Sequence, residues 1–322
     1  MLSKPSLDPS LRSSQTLIRL GTRRSALATT QSNHVADWLR ELGAEVELVE
    51  ITTEGDRTQA SGMSPTAGTA TGVFVNALRD ALLAGEIDIA VHSLKDLPTY
   101  PAEGIVLAAI PVREDPRDVL VARDGLTLGE LPAGAKVGTG SPRRVAQIAA
   151  LGLGLELVPL RGNVDTRVGK VKSGELDGVI VARAGLARLG RLDEVTEVLD
   201  PIQILPAPGQ GALAIECRVG DAAFDLVRRL DDEQTRAAVT AERAVLARLE
   251  GGCSAPIGVL AEVVEGEVGD ELWVRAAALS IDGALSVRLS ATGSLTDAAS
   301  VGVQLAEAML ADGAAELESA RA

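Results

Sequence analysis

Aromatic side chains are scarce: Trp, Tyr and Phe together make up 2% of 322 residues. The cores must then be built from Ala, Val, Leu and Ile, which favours sheets flanked by helices over an aromatic-rich β-sandwich. Cysteine is scarcer still. Cys217 and Cys253 could form at most one disulfide, which excludes a secreted disulfide framework. The two histidines, His34 and His92, leave no His/Cys/Glu spacing of a metal site. No stretch approaches the apolar length of a membrane span, and residues 1–16 lack a signal-peptide core. Cations are outnumbered, with 31 Lys and Arg against 45 Asp and Glu and a formal net charge of −14. So acidic a surface excludes general nucleic-acid binding, because phosphate neutralisation needs a cationic excess. Neither a dinucleotide fingerprint nor a phosphate loop of the usual pattern occurs. The expectations are a cytoplasmic chain with no metal, no nucleic-acid or membrane partner, and a disordered segment 1–16.

What is present is globular: 46% hydrophobic and 24% charged residues, over a length that fits two or three domains. A strand-like run at 17–21 leads into a helical pattern ending at Gly43. A strand at 45–51, a Thr/Gly/Ser-rich loop at 52–72, a helix at 73–85 and a strand at 87–93 follow. This alternation predicts a parallel sheet covered by helices. After short strands near 105–110 and 118–122 it restarts, with strands at 136–140, 155–160 and 177–182 enclosing two helices. The strand 211–217 could belong to either sheet. Residues 220–250 are strongly helical, and beyond 256 three β-like runs and a terminal helix near 296–312 predict a small third domain.

Three strand ends carry arginines: GTRRS at 21–25, GTGSPRR at 138–144 and RGNVDTR at 161–167. In open α/β sheets such ends border the ligand crevice. Ser141 can cap a helix there and Pro142 suits its first turn, while Arg143 and Arg144 add two guanidinium forks for an anion. Arg over Lys favours bidentate carboxylate recognition. The competing reading is a set of solvated helix starts with incidental arginines. The run HSLKDLP at 92–98 places Lys95 and Asp96 at the end of an apolar strand. Asp96 there can be a general acid/base or stabilise a developing cation; a polar turn before Pro98 is the alternative. Cys253, after two glycines and three residues before Pro256, can be a nucleophile or an attachment point. Cys217, inside an apolar strand, reads as a packed core thiol.

Taken in order, HSLKDLP, GTGSPRR, RGNVDTR, LPAPGQGALAIECR (205–218) and GGCSAP (251–256) resemble the porphobilinogen deaminase (hydroxymethylbilane synthase) family of tetrapyrrole biosynthesis, from about residue 17 to the C-terminus. The resemblance implies two α/β domains of periplasmic-binding-protein architecture facing each other across a cleft, and a small α+β third domain. It places the first domain at 17–111 with 212–230, the second at 112–211 and the third at 231–322. It implies a dipyrromethane cofactor bonded by thioether to Cys253, porphobilinogen as substrate and a monomer. Four porphobilinogens would be added with loss of ammonia and released as hydroxymethylbilane. The catalytic aspartate falls on Asp96. Each pyrrole carries an acetate and a propionate, which gives the cations a purpose. Arg23, Ser25, Lys95, Thr139, Ser141, Arg143, Arg144, Arg161, Asn163, Arg167 and Arg188 match positions the family uses around those carboxylates, with Gln210 and Gly211 at the cleft border. Departures are a loop at 55–72 without the usual lysines, Asn76 where Lys is common, and Ala187 before Arg188.

A two-lobed small-anion binding protein explains residues 17–211 equally well, but leaves Cys253 and the third domain without a role. A cysteine-nucleophile acyl transferase would want a His base near Cys253, and both histidines lie in the first α/β unit.

Overall fold

The structure, a computed structural model, describes residues 17–51, 70–249, 256–267 and 269–319. The segment 1–16, most of the loop 52–72 and Cys253 lie outside the described residues.

The first lobe alternates strand and helix: β1 (Leu17–Thr22), α1 (Ala26–Glu41), β2 (Glu45–Glu50), α2 (Ala70–Leu83), β3 (Ile89–Ser93) and β4 (Ile105–Ala109). Ser25 starts α1, its hydroxyl accepting from the Ala28 amide at 3.3 Å, the N-cap bond that replaces a missing intrahelical partner. Val35, Ala36 and Leu39, at helical spacing, bury that helix against Ile18, Leu20 and Ile89 of the sheet.

The second lobe repeats the scheme with β5 (Asp118–Ala122), β6 (Lys136–Thr139), α3 (Pro142–Ala149), β7 (Glu156–Pro159), α4 (Val164–Lys172), β8 (Gly178–Ala182), α5 (Arg183–Arg188) and the two-residue β9 (Glu197–Val198). The chain then returns to the first sheet through β10 (Leu213–Arg218).

The sheets run β2-β1-β3-β10-β4 and β7-β6-β8-β5-β9. Both are mixed, where the alternation predicts parallel sheets. Three strands of each lobe are parallel. The fourth position goes to the strand arriving from the other lobe: β10 lies antiparallel to β3 and β4, and β5 antiparallel to β8 and β9. The reason is geometric. The crossovers at 110–117 and 199–212 reach each sheet at the end where its parallel strands finish, so an arriving strand can only run back the other way. The strand 211–217, left open between two sheets by its sequence, lies in the first.

After β10 the short α6 (Phe224–Val227) packs on the first lobe's core. The third unit contains α7 (Glu233–Arg248), the antiparallel meander β11 (Ile257–Glu265), β12 (Asp270–Leu279) and β13 (Ser286–Ser294), then α8 (Ala298–Ala311) and α9 (Glu316–Ser319). Ala241 and Val245 of α7, Leu305 and Met309 of α8 and Val259, Val274 and Ala276 of the sheet make its core. The two helices touch at Gly302, where an added Cβ would lie 2.3 Å from the Ala241 carbonyl oxygen. Only glycine permits that approach.

Glu242 of α7 ties the units together. Its carboxylate is fully buried and accepts from Arg113 Nη1 at 2.7 Å in the first crossover, the Gly209 amide at 2.6 Å in the second, and the Ala261 amide at 2.9 Å in the third sheet.

Candidate active-site cleft

A cavity of about 430 Å³ opens between the two lobes. The first lobe contributes Arg23 and Ser25 after β1 and Ser93, Lys95 and Asp96 at the end of β3; the second contributes Arg144 from α3, Asn163 and Arg167 from the β7–α4 junction, and Arg188 from α5. The side chains come from strand ends and helix starts, as expected of a ligand crevice in an open α/β sheet.

Lys95 and Asp96 sit on a single helical turn, Leu94–Asp96, whose Leu94 is fully buried. Arg243 of α7 reaches across and donates to the carbonyl oxygens of Leu97 at 3.1 Å and Pro98 at 2.5 Å, fixing the end of that turn from the third unit. Lys95 Nζ donates to Gln210 Oε1 at 3.4 Å. Lys95 keeps some exposure along the cleft, yet its ammonium is enclosed. Burial, reinforced by Arg144 and Arg143, draws its pKa down to about 8 against the opposing charges of Asp96 and Asp118, because a low dielectric disfavours the charged form. Asp96 lines the cavity and, among the described residues, makes no hydrogen bond or ion pair.

The arginines divide into two kinds. Arg143 and Arg144 are buried and share the fully buried Asp118 carboxylate, through Arg143 Nη2 and Arg144 Nη2, each at 2.7 Å. Against the upward push of burial, the two guanidiniums hold that carboxyl well below the usual carboxylate range. Arg167 and Arg188 instead satisfy backbone oxygens: Arg167 Nε donates to Gly162 O at 2.9 Å, and Arg188 Nη2 to Gly211 O at 2.6 Å. Burial draws both downward, Arg188 to about 10 with Glu114 opposing, and Arg167 with the added repulsion of Arg144. Among the described residues neither these two nor Lys95 has an ion-pair partner. Desolvated cations not engaged in an ion pair make a site for an anion.

Several expected site residues stand behind the cavity wall. Thr139, Arg143 and Gln210 are buried, and neither they nor Ser141 and the exposed Arg161 line the cavity. The two forks expected at the start of α3 are thus corrected. Arg143 shares a helix face with Ala146 and Gln147, all buried, and turns toward Asp118 and the Leu205 carbonyl oxygen; Arg144 alone reaches the cleft. Ser141 occupies the N-cap position without a side-chain cap bond, and its own amide donates to Thr139 Oγ1 at 3.3 Å. Asn163 does cap α4, accepting from the Thr166 amide at 2.8 Å. Gly211 borders the cleft with φ +88, where an added Cβ would meet Glu114 O at 2.2 Å. Cys217 is fully buried, and burial raises its thiol pKa to about 11, an inert core position.

Sequence reasoning missed Gln31, whose Nε2 donates to Ser93 Oγ at 3.0 Å inside the cleft. It also missed Asp118 and the Glu216–Arg79–His92 cluster. Glu216 of β10 is buried, accepts from Arg79 Nη2 at 2.6 Å and has His92 Nε2 3.2 Å away. A lone carboxylate in the apolar run GALAIEC was the available signal, since such a group is buried only with partners. Among the described residues no cluster of three metal-ligating side chains occurs, and no helix is long and apolar enough to cross a membrane.

Comparison with known proteins gives the same picture from outside. A family model for "porphobilinogen deaminase, dipyromethane cofactor binding domain" matches residues 18–225, and one for "porphobilinogen deaminase, C-terminal domain" matches residues 236–311. The chain is 58% identical over 307 residues to a porphobilinogen deaminase of Mycobacterium tuberculosis, covering 94% of this chain and 98% of that one. It is 57% identical over 308 residues to one of Nocardia farcinica, covering 94% and 88%. Among solved structures, a methionine-binding protein aligns at TM-score 0.41 and 12% identity over 66% of this chain and 89% of its own.

Proposed function

The chain belongs to the porphobilinogen deaminase family, an enzyme family whose dipyrromethane cofactor-binding domain spans residues 18–225 here, and from that premise we propose how its residues divide the work. The enzyme is a transferase, a hydroxymethylbilane synthase. It condenses porphobilinogens head to tail with loss of ammonia and releases a linear hydroxymethylbilane. It acts in the cytoplasm as a monomer, without nucleic-acid or membrane partners. Its domains are 17–111 with 212–230, 112–211 and 231–322.

The cleft fits the dipyrromethane by the chemistry of its donors. That group carries acetates and propionates, and the cavity offers Lys95, Arg167 and Arg188 with no ion-pair partner among the described residues, alongside Arg23, Arg144, Ser25 and Asn163. These side chains would hold it, and Cys253 would bond it by thioether. When bound, it supplies the primer whose free pyrrole carbon is the nucleophile. Behind the wall, Thr139, Ser141, Arg143 and Gln210 support that arrangement, Arg161 adds charge at the rim, and Gly211 lets the crossover approach Arg188.

Asp96 carries the chemistry. Its carboxylate has no hydrogen bond to a described residue, so it is available to pyrrole N–H groups. It is equally available to the positive charge left on the substrate as ammonia departs. Lys95 beside it neutralises a substrate carboxylate and keeps the local field from turning wholly negative. The observation that carries this reading is a carboxylate and three cations in one cleft, none with an ion-pair partner among the described residues.

Intact-mass measurement tests it. A dipyrromethane adduct located on Cys253, with a positive Ehrlich reaction, supports the assignment. An unmodified, active chain refutes the covalent primer, and an unmodified, inactive one that binds small carboxylates restores the binding-protein reading.

A further inference from the structure

We infer that Asp118 is a positioning residue for the cleft: a carboxylate that touches no ligand, yet holds Arg144 directly and Lys95 through one amide on facing lobes. The inference rests on the reading of this cleft as the pyrrole-binding site.

The geometry is specific. Asp118 opens β5 and is wholly shielded from solvent. One of its oxygens takes both Arg144 Nη2 at 2.7 Å and Gln210 Nε2 at 2.8 Å; the other takes Arg143 Nη2 at 2.7 Å. Gln210 turns its remaining oxygen to Lys95 Nζ at 3.4 Å, while its amide also donates to Pro116 O at 2.7 Å. Of these groups only Arg144 and Lys95 line the cavity. A single carboxylate therefore reaches the second lobe's cation directly and the first lobe's cation through one amide.

A buried carboxylate with two guanidiniums and an amide has its lone pairs nearly filled, so each donor is fixed in direction. Arg144 completes its fixation on Ile180 O at 3.1 Å. Its guanidinium is thus held before any ligand arrives, which lowers the ordering cost of binding. The groups that set the charge on Lys95 are Asp96 on its own turn and, from the second lobe, Asp118, Arg143 and Arg144. Removing the Asp118 charge leaves two arginines against one carboxylate, and the Lys95 ammonium then deprotonates at lower pH.

Holoenzyme carrying Asp118→Asn, counted by the adduct mass on Cys253, is assayed for porphobilinogen turnover between about pH 6 and 9. A rate per loaded chain lowered about tenfold, with KM raised, is expected. The alkaline limb, which in the parent enzyme reports Lys95, should move down by about half a pH unit or more. A parent-like KM and alkaline limb per loaded chain overturn the inference, since a merely structural role would lower only the yield of loaded chain. Should Asp118→Asn give no loaded chain, Gln210→Leu, which removes the amide joining Asp118 to Lys95 and keeps the Asp118 charge, decides the matter. A downward shift of its limb supports the inference and an unmoved limb overturns it. Lack of the adduct in the parent enzyme would instead remove the underlying reading of the cleft.

Discussion

Replacing Glu216 with Gln should cost stability in a pH-dependent way, and the cost can be worked from the structure. Glu216 is buried between Arg79 and His92. Burial pushes its pKa up, but the bonds from His92 and Arg79 prevail and hold it at about 2, against an ordinary 4.5. A carboxyl depressed by that much contributes about 3 kcal/mol to folding once it is ionised in both states. The contribution is complete above about pH 5.5, shrinks as pH falls through the unfolded value near 4.5, and is gone by about pH 2. The side chain is only 4% exposed, so solvent screening subtracts little. Gln keeps the shape and removes the charge. Urea unfolding of parent and Glu216→Gln proteins, both carrying Trp273→Phe so that Trp38 reports on the first lobe, gives the stability gap at each pH. The gap should narrow by about 2 kcal/mol between about pH 6 and 3. A gap that stays constant across that range refutes the depressed carboxyl, and with it the account of what holds β10 against α2 and β3.

Asp96→Asn should retain the adduct on Cys253 while turnover falls by about a hundredfold or more, and Cys253→Ala should lose the adduct altogether; intact mass and rate assays separate the two, and near-parent turnover in Asp96→Asn would remove its catalytic role. Glu242→Gln leaves a buried Arg113 facing an amide in place of a carboxylate. It should cost about 3–5 kcal/mol in chemical denaturation, and a loss below about 1 kcal/mol would show that the junction is held by other contacts. Gly211→Ala forces a side chain at φ +88 and against Glu114 O; it should raise KM for porphobilinogen through the displaced Arg188 contact with the adduct intact, and an unchanged KM would count against Arg188 as a ligand.

Much of the fold was legible because apolar runs of strand length, such as those of β1, β3 and β8, alternate with helical spacing. Strand direction was not legible, since a period of two residues carries no arrow. The antiparallel β5 and β10 follow from where the crossovers enter, a property of the whole chain. The two-residue β9 is too short to leave a pattern. At the site, HSLKDLP was enough to put Lys95 and Asp96 side by side where the apolar strand ends, though not to show the helical turn that carries them. The arginines of α3 were harder. Arg143 and Arg144 are neighbours in sequence, yet 100° of helix turn sends one to the wall and the other to the rim. Asp118 was hidden among the charges of REDPRD, where four other ionisable side chains had an equal claim until the sheet buried one of them.

The division of the cleft between lobes gives those buried carboxylates their importance. Asp96 and Lys95 come from the first lobe, and Arg144, Arg167 and Arg188 from the second, so the anionic ligand proposed for this cleft would meet both at once. A lobe shift of one ångström would move the Asp96 carboxylate relative to the cations proposed to position the substrate. Two backbone crossovers alone would hinge freely. Glu242 removes much of that freedom by binding the first crossover through Arg113 and the second through the Gly209 amide, while Arg243, the next residue on α7, holds the carbonyls that follow Asp96. The helix that carries both ends at Arg248, a few residues before Cys253. One helix thus fixes both the crossovers and the turn that carries Asp96, so the proposed acid keeps its place relative to the hinge between the lobes.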